Sequence, residues 1–356
     1  MVSVARDLEF IGMTLRASKA TARVPDPSCR TVRITDVAAA AGVSAITVSR
    51  ALNTPQLLSK TTLRRVLAAV DRLGYVPNLT AGALSSRRSR MVVAIVPTIA
   101  SPMYAEALQA FTRTLAASGY HVLLGLGGFD SEDEERLITA MLGRQPDGVL
   151  LVGAVHSPTA RRRLAEAGVP IVEIWGDSAE PLDIQVGFSH RGAGEAVAHH
   201  LCDNGYRAFG IVSSDDPRAL ERLDGFRAAL ERRGLSLLVQ RLLPPPSTVL
   251  DGRRVLPDLL DALPRGAAVF CSSDMLATGL VIEARARGIL IPDDLALCGF
   301  GDLDIGRAIE PALTTVSVDG NEMGQLAARC IIDRLSGRQI QQRVALPVEI
   351  VRRQTT

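Results

Sequence analysis

Apolar and polar positions follow one period near the start of this chain and another after it. Between residues 34 and 70 the apolar positions come in blocks at helical spacing. The blocks are Ile34, Val37, Ala38 and Ala41, then Val48 and Leu52, then Leu63, Val66, Leu67 and Val70. Thr35 is expected to cap the first helix, with Asp36 in its first turn, where a negative charge suits the helix dipole. Gly42 stands where that helix would stop. Ser44 is expected to cap a second helix through Asn53, and a third is expected over Lys60–Leu73, ended by Gly74. Two short helices joined by a tight turn form a helix-turn-helix, whose second helix enters the DNA major groove.

From Met91 the texture changes to short apolar runs of buried-strand type. They fall at Met91–Val96, Tyr120–Leu126, Gly148–Val152, Pro170–Ile174, Phe209–Val212, Ala267–Cys271 and Leu295–Phe300. Helical patterns separate them: Tyr104–Ser118, Glu132–Leu142, Pro158–Ala167, Gly192–Asn204, Ala219–Arg233, Met275–Arg287 and Glu322–Leu335. Strand–helix alternation of this kind means parallel sheets covered by helices on both faces. So many units imply an α/β core of two doubly wound parallel-sheet lobes, preceded by the all-α helix-turn-helix domain.

At 356 residues the chain is long enough for two to three domains. No apolar run approaches the roughly 20 residues a membrane span needs, so no membrane partner is expected. The net charge is only +2, but basic residues cluster around the helical region: Arg33, Arg50, Lys60, Arg64, Arg65, Arg72, Arg87, Arg88 and Arg90. A local patch of that kind can contact phosphates while the remainder stays neutral. Five scattered cysteines without a CxxC pair argue against metal or disulfide use and fit a reducing, cytoplasmic setting. No cofactor is called for. GLGGFD (125–130) lacks the Lys and Ser/Thr of a phosphate loop and reads as a strand-end turn. SEDEER (131–136) reads as an acidic helix start, and LPPPSTVLDG (243–252) as a loop at the rim of a cleft. With no nucleophile elbow and no other catalytic constellation, the chain reads as no enzyme.

DVAAAAGVSAITVSRALN followed by LGYVPN resembles the headpiece of the lactose-repressor (LacI/GalR) family of bacterial transcription regulators. RLDGF, SSDMLATG, IPDDLALCGF and PALTTV extend the resemblance across about 31–351. It implies a headpiece at 31–78, a hinge at 79–90, and a periplasmic-binding-protein-like core at 91–356. Lobe one would hold about 91–189 and 319–338, and lobe two about 190–318 and 339–356. The preceding residues 1–30 are expected to be disordered or partly a misassigned start, with Met13 an alternative initiator.

The recognition helix should present Ala45, Ile46 and Arg50 to base edges, and the resemblance implies the same positions. Arg50 can pair with guanine or phosphate, whereas Ala45 and Ile46 read only methyl groups and shape. Thr35, Ser44, Thr47, Ser49 and Asn53 complete the expected DNA-facing set. In the resembling family a hinge leucine wedges into the minor groove at the centre of a palindrome, and Leu84 holds that position.

Ligands of open α/β sheets sit beyond the carboxyl ends of the strands. The residues found there are Met103, Tyr104, His156, Trp175, Phe188, Ser273 and Asp274. Arg222 of RLDGF matches the family's effector-binding arginine, and Arg218 lies one turn earlier on the same face. Two guanidiniums so placed suit a carboxylate, which they can grip bidentately. Gly301 stands where a family aspartate usually holds ligand hydroxyls, and Asp302 is the expected replacement.

These residues imply a sequence-specific repressor working as a homodimer on palindromic operator DNA, controlled by a small sugar or sugar-acid effector. VEIWGD, PLDIQVGFSH and GFGDLDIG bring it nearest to the gluconate-repressor subgroup. A stand-alone solute-binding protein would carry an export signal and no headpiece. A sugar-acid enzyme on the same scaffold would carry a catalytic constellation.

Overall fold

The computed structural model describes residues 32–76, 88–153 and 157–356. The extension 1–30 with Met13, the hinge positions 79–87 with Leu84, and His156 lie outside the described residues. The chain divides into two compact units, Met1–Leu79 and Thr80–Thr356.

In the first unit α1 (Ile34–Ala41), α2 (Ala45–Asn53) and α3 (Lys60–Leu73) enclose a small core of Val37, Ala41, Val48, Ala51, Val66 and Ala69. Gly42 and Gly74 end α1 and α3 in the left-handed conformation. Ser44 and Ser59 cap α2 and α3 by accepting hydrogen bonds from the Thr47 and Thr62 amides. Two expectations need correction. Thr35 does not cap α1: the helix starts at Ile34, and the Arg33 amide donates to the Asp36 carboxylate instead. Leu67 is exposed, and Ala69, on the side of Val66, takes the inward position.

The second unit opens with β1 (Met91–Val96), α4 (Ala105–Ala117), β2 (His121–Leu126), α5 (Ser131–Leu142), β3 (Gly148–Val152), α6 (Pro158–Glu166), β4 (Ile171–Ile174) and β5 (Ile184–Gly187). It continues with α7 (His190–Asp203), β6 (Phe209–Ser214), α8 (Pro217–Arg232), β7 (Leu237–Leu243), α9 (Val249–Ala262), β8 (Ala267–Cys271), α10 (Asp274–Ala286), β9 (Leu295–Phe300), α11 (Asp304–Ala308) and β10 (Thr314–Ser317). It closes with α12 (Gly320–Leu335), β11 (Arg343–Ala345) and β12 (Glu349–Val351). Two six-stranded sheets result, ordered β11-β5-β4-β3-β1-β2 and β12-β10-β9-β8-β6-β7. Every pairing is parallel except that of β10 with β12. The strand order reverses beside β1 in one lobe and β6 in the other, which opens a crevice at the carboxyl ends of those strands.

The chain crosses between lobes after β5, after β10 and after β11. Residues 339–346 therefore stay with the first lobe, because β11 pairs with β5 there. The last crossing lies between β11 and β12, later than the expected 339. The run Tyr120–Leu126 is no buried strand either: β2 is an edge strand with Leu124 and Leu126 exposed. The expected loop at 243–252 is a loop only to Ser247, since Thr248 and Asp251 form a capping box that starts α9.

One apolar cluster joins the two lobes through Tyr104, Trp175, Phe188 and Phe300. Helix α7 lies directly against α8: a Cβ at Gly194 would collide with the Arg222 carbonyl, and one at Gly225 with the Arg191 carbonyl. Only glycine permits so close an approach, and it fixes the start of α7 beside the middle of α8.

Candidate functional site

On α2 the expected residues divide by what their side chains already do. The Ser44 and Thr47 hydroxyls bond to each other at 2.9 Å, and Asn53 Nδ2 donates to the Ser49 carbonyl at 3.0 Å. Ala45 packs against the headpiece core. Ile46, 66% exposed, and Arg50, one turn later, stand free on the solvent face. Thr35 is exposed on α1. Arg33, Lys60, Arg64, Arg65 and Arg72 are exposed on the same unit. A duplex can therefore meet an apolar tip, a guanidinium and surrounding cations.

The interlobe cleft holds a cavity of about 60 Å³ and opens to solvent. Of the residues expected there, Met103, Tyr104, Arg222 and Ser273 line it. Tyr104 ends a single 3-10 turn, Pro102–Tyr104, that leads into α4. Its ring is buried, and burial raises the phenol pKa above its ordinary value. Ser273 caps α10 by accepting from the Leu276 amide.

Arg222 is 4% exposed, and its guanidinium is held on three sides. One Nη approaches His190 Nδ1 at 2.8 Å, and the other donates to the Ser272 carbonyl at 3.0 Å. Its Cζ lies 4.1 Å from the centre of the Phe300 ring. Burial lowers its pKa to about 10, so the cation persists at neutral pH. Its Nε is buried without an acceptor.

Arg218, one turn earlier, lies behind the lining. It reaches across to the first lobe, with its Cζ 5.4 Å from the centre of the Tyr104 ring and its tip against Gly153. Its link to Asp216 is loose, at 3.8 Å, and its buried Nη1 has no acceptor. Among the described residues two buried guanidinium nitrogens on one helix thus lack acceptors, and each would gain from an anionic oxygen.

Four expected residues take other places. Trp175 and Phe188 sit behind the lining, packed edge-on at 5.6 Å, with Tyr104 edge-on to Trp175 at 5.8 Å. They join the lobes and offer no open platform, because Tyr104 occupies the cleft side. Asp274 is fully buried and does not line the cleft; its carboxylate accepts from the Thr315 hydroxyl and the Leu303 amide. Asp302 is engaged by Arg307 at 2.7 Å and by Arg353, and it does not line the cleft. Burial would raise its pKa, but the hydrogen bonds from Arg307 and Arg353 outweigh that and hold it below the usual range.

Thr98, Ser101, Ser214, Asp216, Ser247 and Ser272 line the cleft without having been singled out. Ser214 and Ser272 stand at or just past strand ends, so a stricter application of the strand-end rule finds them. Asp216 caps α8 and faces the cleft at once.

Among the described residues no group of His, Cys, Asp and Glu could hold a metal, and no helix is long and apolar enough to cross a membrane.

Residues 33–78 match the family described as bacterial regulatory proteins, lacI family, and residues 198–356 match a periplasmic binding protein-like domain. The HTH-type transcriptional regulator GntR of Pseudomonas aeruginosa is 36% identical over 310 residues, covering 86% of this chain and 90% of its own length. A LacI-family transcriptional regulator from Silicibacter pomeroyi superposes with a TM-score of 0.85 at 33% identity, over 91% of this chain and 99% of its own. The transcription regulator GntR from Chromobacterium violaceum superposes with a TM-score of 0.71 at 32% identity, over 74% of this chain and 98% of its own.

Proposed function

The chain belongs to the lacI family of bacterial regulatory proteins, and on that premise we propose that its interlobe cleft takes a sugar acid, with gluconate or a close relative favoured. It is a DNA-binding transcriptional regulator and not an enzyme. The carrying observation is the arginine pair: among the described residues Arg222 Nε and Arg218 Nη1 are buried without acceptors, and Arg222 lines a cleft whose other polar groups are mostly hydroxyls. A carboxylate satisfies the guanidiniums, while Thr98, Ser214, Ser247 and Ser272 suit the hydroxyls of a polyol chain. The relatives named GntR support the same class.

On operator DNA, Ile46 and Arg50 read base edges, while Thr35, Ser44, Thr47, Ser49 and Asn53 face the backbone. Leu84 is the proposed minor-groove wedge and His156 a proposed effector contact. The regulator acts in the cytoplasm as a homodimer on a palindrome, one helix-turn-helix to each half-site. The proposed partner surface is the pair of sheet edges, where β2 exposes Leu124 and Leu126 and β7 exposes Leu238 and Leu242. Effector binding shifts the population of lobe arrangements, and operator affinity follows.

The test is a titration with D-gluconate followed by the fluorescence of Trp175, the only tryptophan. A saturable change with gluconate and none with D-glucose is expected. Equal responses to both sugars, or none to either in fluorescence and in thermal shift, would remove the sugar-acid reading.

A further inference from the structure

His190 belongs to neither the lining nor the recognition surface, yet it makes two polar contacts in the apolar junction between the lobes. It opens α7 immediately after the first crossing, behind its N-cap Ser189, and is 1% exposed. Its Nδ1 meets a guanidinium nitrogen of Arg222 at 2.8 Å. Its Nε2 meets the backbone carbonyl of Trp175 at 3.1 Å. Arginine can only donate and a carbonyl can only accept, so both partners dictate one state: a neutral ring with the proton on Nε2. An imidazolium could not accept from Arg222.

The surroundings enforce that state. Phe188 packs edge-on against the ring at 4.6 Å, and Phe300 lies 6.1 Å away. The charged groups facing the ring are Arg222 and Arg218, both on α8. Burial first, and the Arg222 charge second, hold its pKa well below the ordinary 6.5. The carbonyl it grips belongs to a residue with φ of +60°, an uncommon conformation for a tryptophan, at the end of β4 in the first lobe. One ring therefore links the cleft-facing arginine of the second lobe to a strained backbone position in the first.

We propose that His190 is a positioning residue that orients Arg222 toward the effector and ties it to the first lobe through the Trp175 carbonyl. This rests on the reading of the cleft as an effector site. Removing the ring's acceptor frees the guanidinium and costs effector affinity, although His190 touches no effector itself. Removing its donor frees the Trp175 carbonyl and uncouples cleft occupancy from lobe arrangement.

The test has two arms on the full chain. In the first, without any ligand, ¹⁵N spectra of the histidines place His190 in the Nε2–H tautomer, still unprotonated where an ordinary histidine has gained its proton. Arg222→Gln raises its titration midpoint. A His190 that titrates near 6.5 in the parent chain and is unmoved by Arg222→Gln overturns the proposal, whatever the effector is. The second arm measures D-gluconate binding by His190→Leu, which keeps bulk without polarity, and by His190→Gln, which keeps one donor and one acceptor. With both variants folded by circular dichroism, His190→Leu binds at least about tenfold more weakly, whereas His190→Gln stays within about threefold of the parent. Equal binding by all three proteins overturns the positioning role. If the parent itself ignores gluconate, the sugar-acid reading fails and the spectra of the first arm decide the fate of His190.

Discussion

Arg222 and Arg218 sit one turn apart on α8, but they are held differently, and their substitutions should differ in kind. Arg222 is fixed by His190, Ser272 and Phe300 before any ligand arrives, so little ordering entropy is lost on binding. Arg222→Gln should weaken gluconate binding by about a hundredfold, the loss of a buried charge-assisted contact. Arg218 has a loose link to Asp216 and lies over the Tyr104 ring, with no close hydrogen bond among the described residues. Arg218→Gln should cost about tenfold, and calorimetry on both variants checks the ranking. Asp274 offers a separate test. Its folded pKa is raised to about 6 by burial, against an ordinary 3.8. The folded state therefore holds this proton more tightly than the unfolded state. Its contribution to stability is complete below about pH 4 and is lost as the pH rises through 6, on the order of 3 kcal/mol in all. Asp274→Asn can still accept from Leu303 and donate to Thr315. Its stability relative to the parent in urea should therefore rise by that amount between about pH 4 and about pH 7.

At the scale of elements, two contacts dominate the placement of the sites. Ser44 caps α2 through the Thr47 amide, and Ser44→Ala should destabilise the headpiece by about 1 kcal/mol, measurable by circular dichroism. Gly194 lets α7 touch α8 at Arg222. Gly194→Ala should destabilise the core by about 1–3 kcal/mol and weaken effector binding as well, because the helix that carries Arg222 must shift. The sheets were legible in the sequence wherever strands are buried on both faces: Gly148–Val152, Ala267–Cys271 and Leu295–Phe300 read as continuous apolar runs and are strands over those bounds. Strands β5, β7, β10, β11 and β12 were not singled out. Each of β5 and β10 spans four residues, and β11 and β12 three, too few to show a period. Strand β7 mixes Gln240 and Arg241 into an edge run. Helix α9 escaped because Pro257 interrupts its pattern and a proline-rich loop precedes it. In the cleft Arg222 was singled out by the family motif, and Arg218 by its place one turn earlier. The roles of Asp274 and Asp302 were not legible, because their partners Thr315 and Arg353 are far along the chain.

For the whole molecule, the exposed leucines of the outer strands set the expected assembly. Leu126, at 53%, and Leu238, at 52%, lie on outer strands whose free edges have no strand neighbour among the described residues. Leu126→Glu should turn a dimer into a monomer in sedimentation velocity. It should also lower operator affinity by at least about tenfold, since a single headpiece holds only one half-site.

The three crossings between lobes leave from β5, β10 and β11, and the last arrives at β12; β5 and β11 end one sheet as β10 and β12 end the other. That side is a spine, and β2 and β7 form the fore-edge of the same book. Rotation about a spine displaces the fore-edge most. With the leucine edges as the partner surface, a small change of opening angle at the cleft becomes a large sliding of one subunit face past the other. Self-association and small-molecule binding are then linked quantities. Whatever factor gluconate applies to the dimer's dissociation constant, dimerisation must apply to the affinity for gluconate.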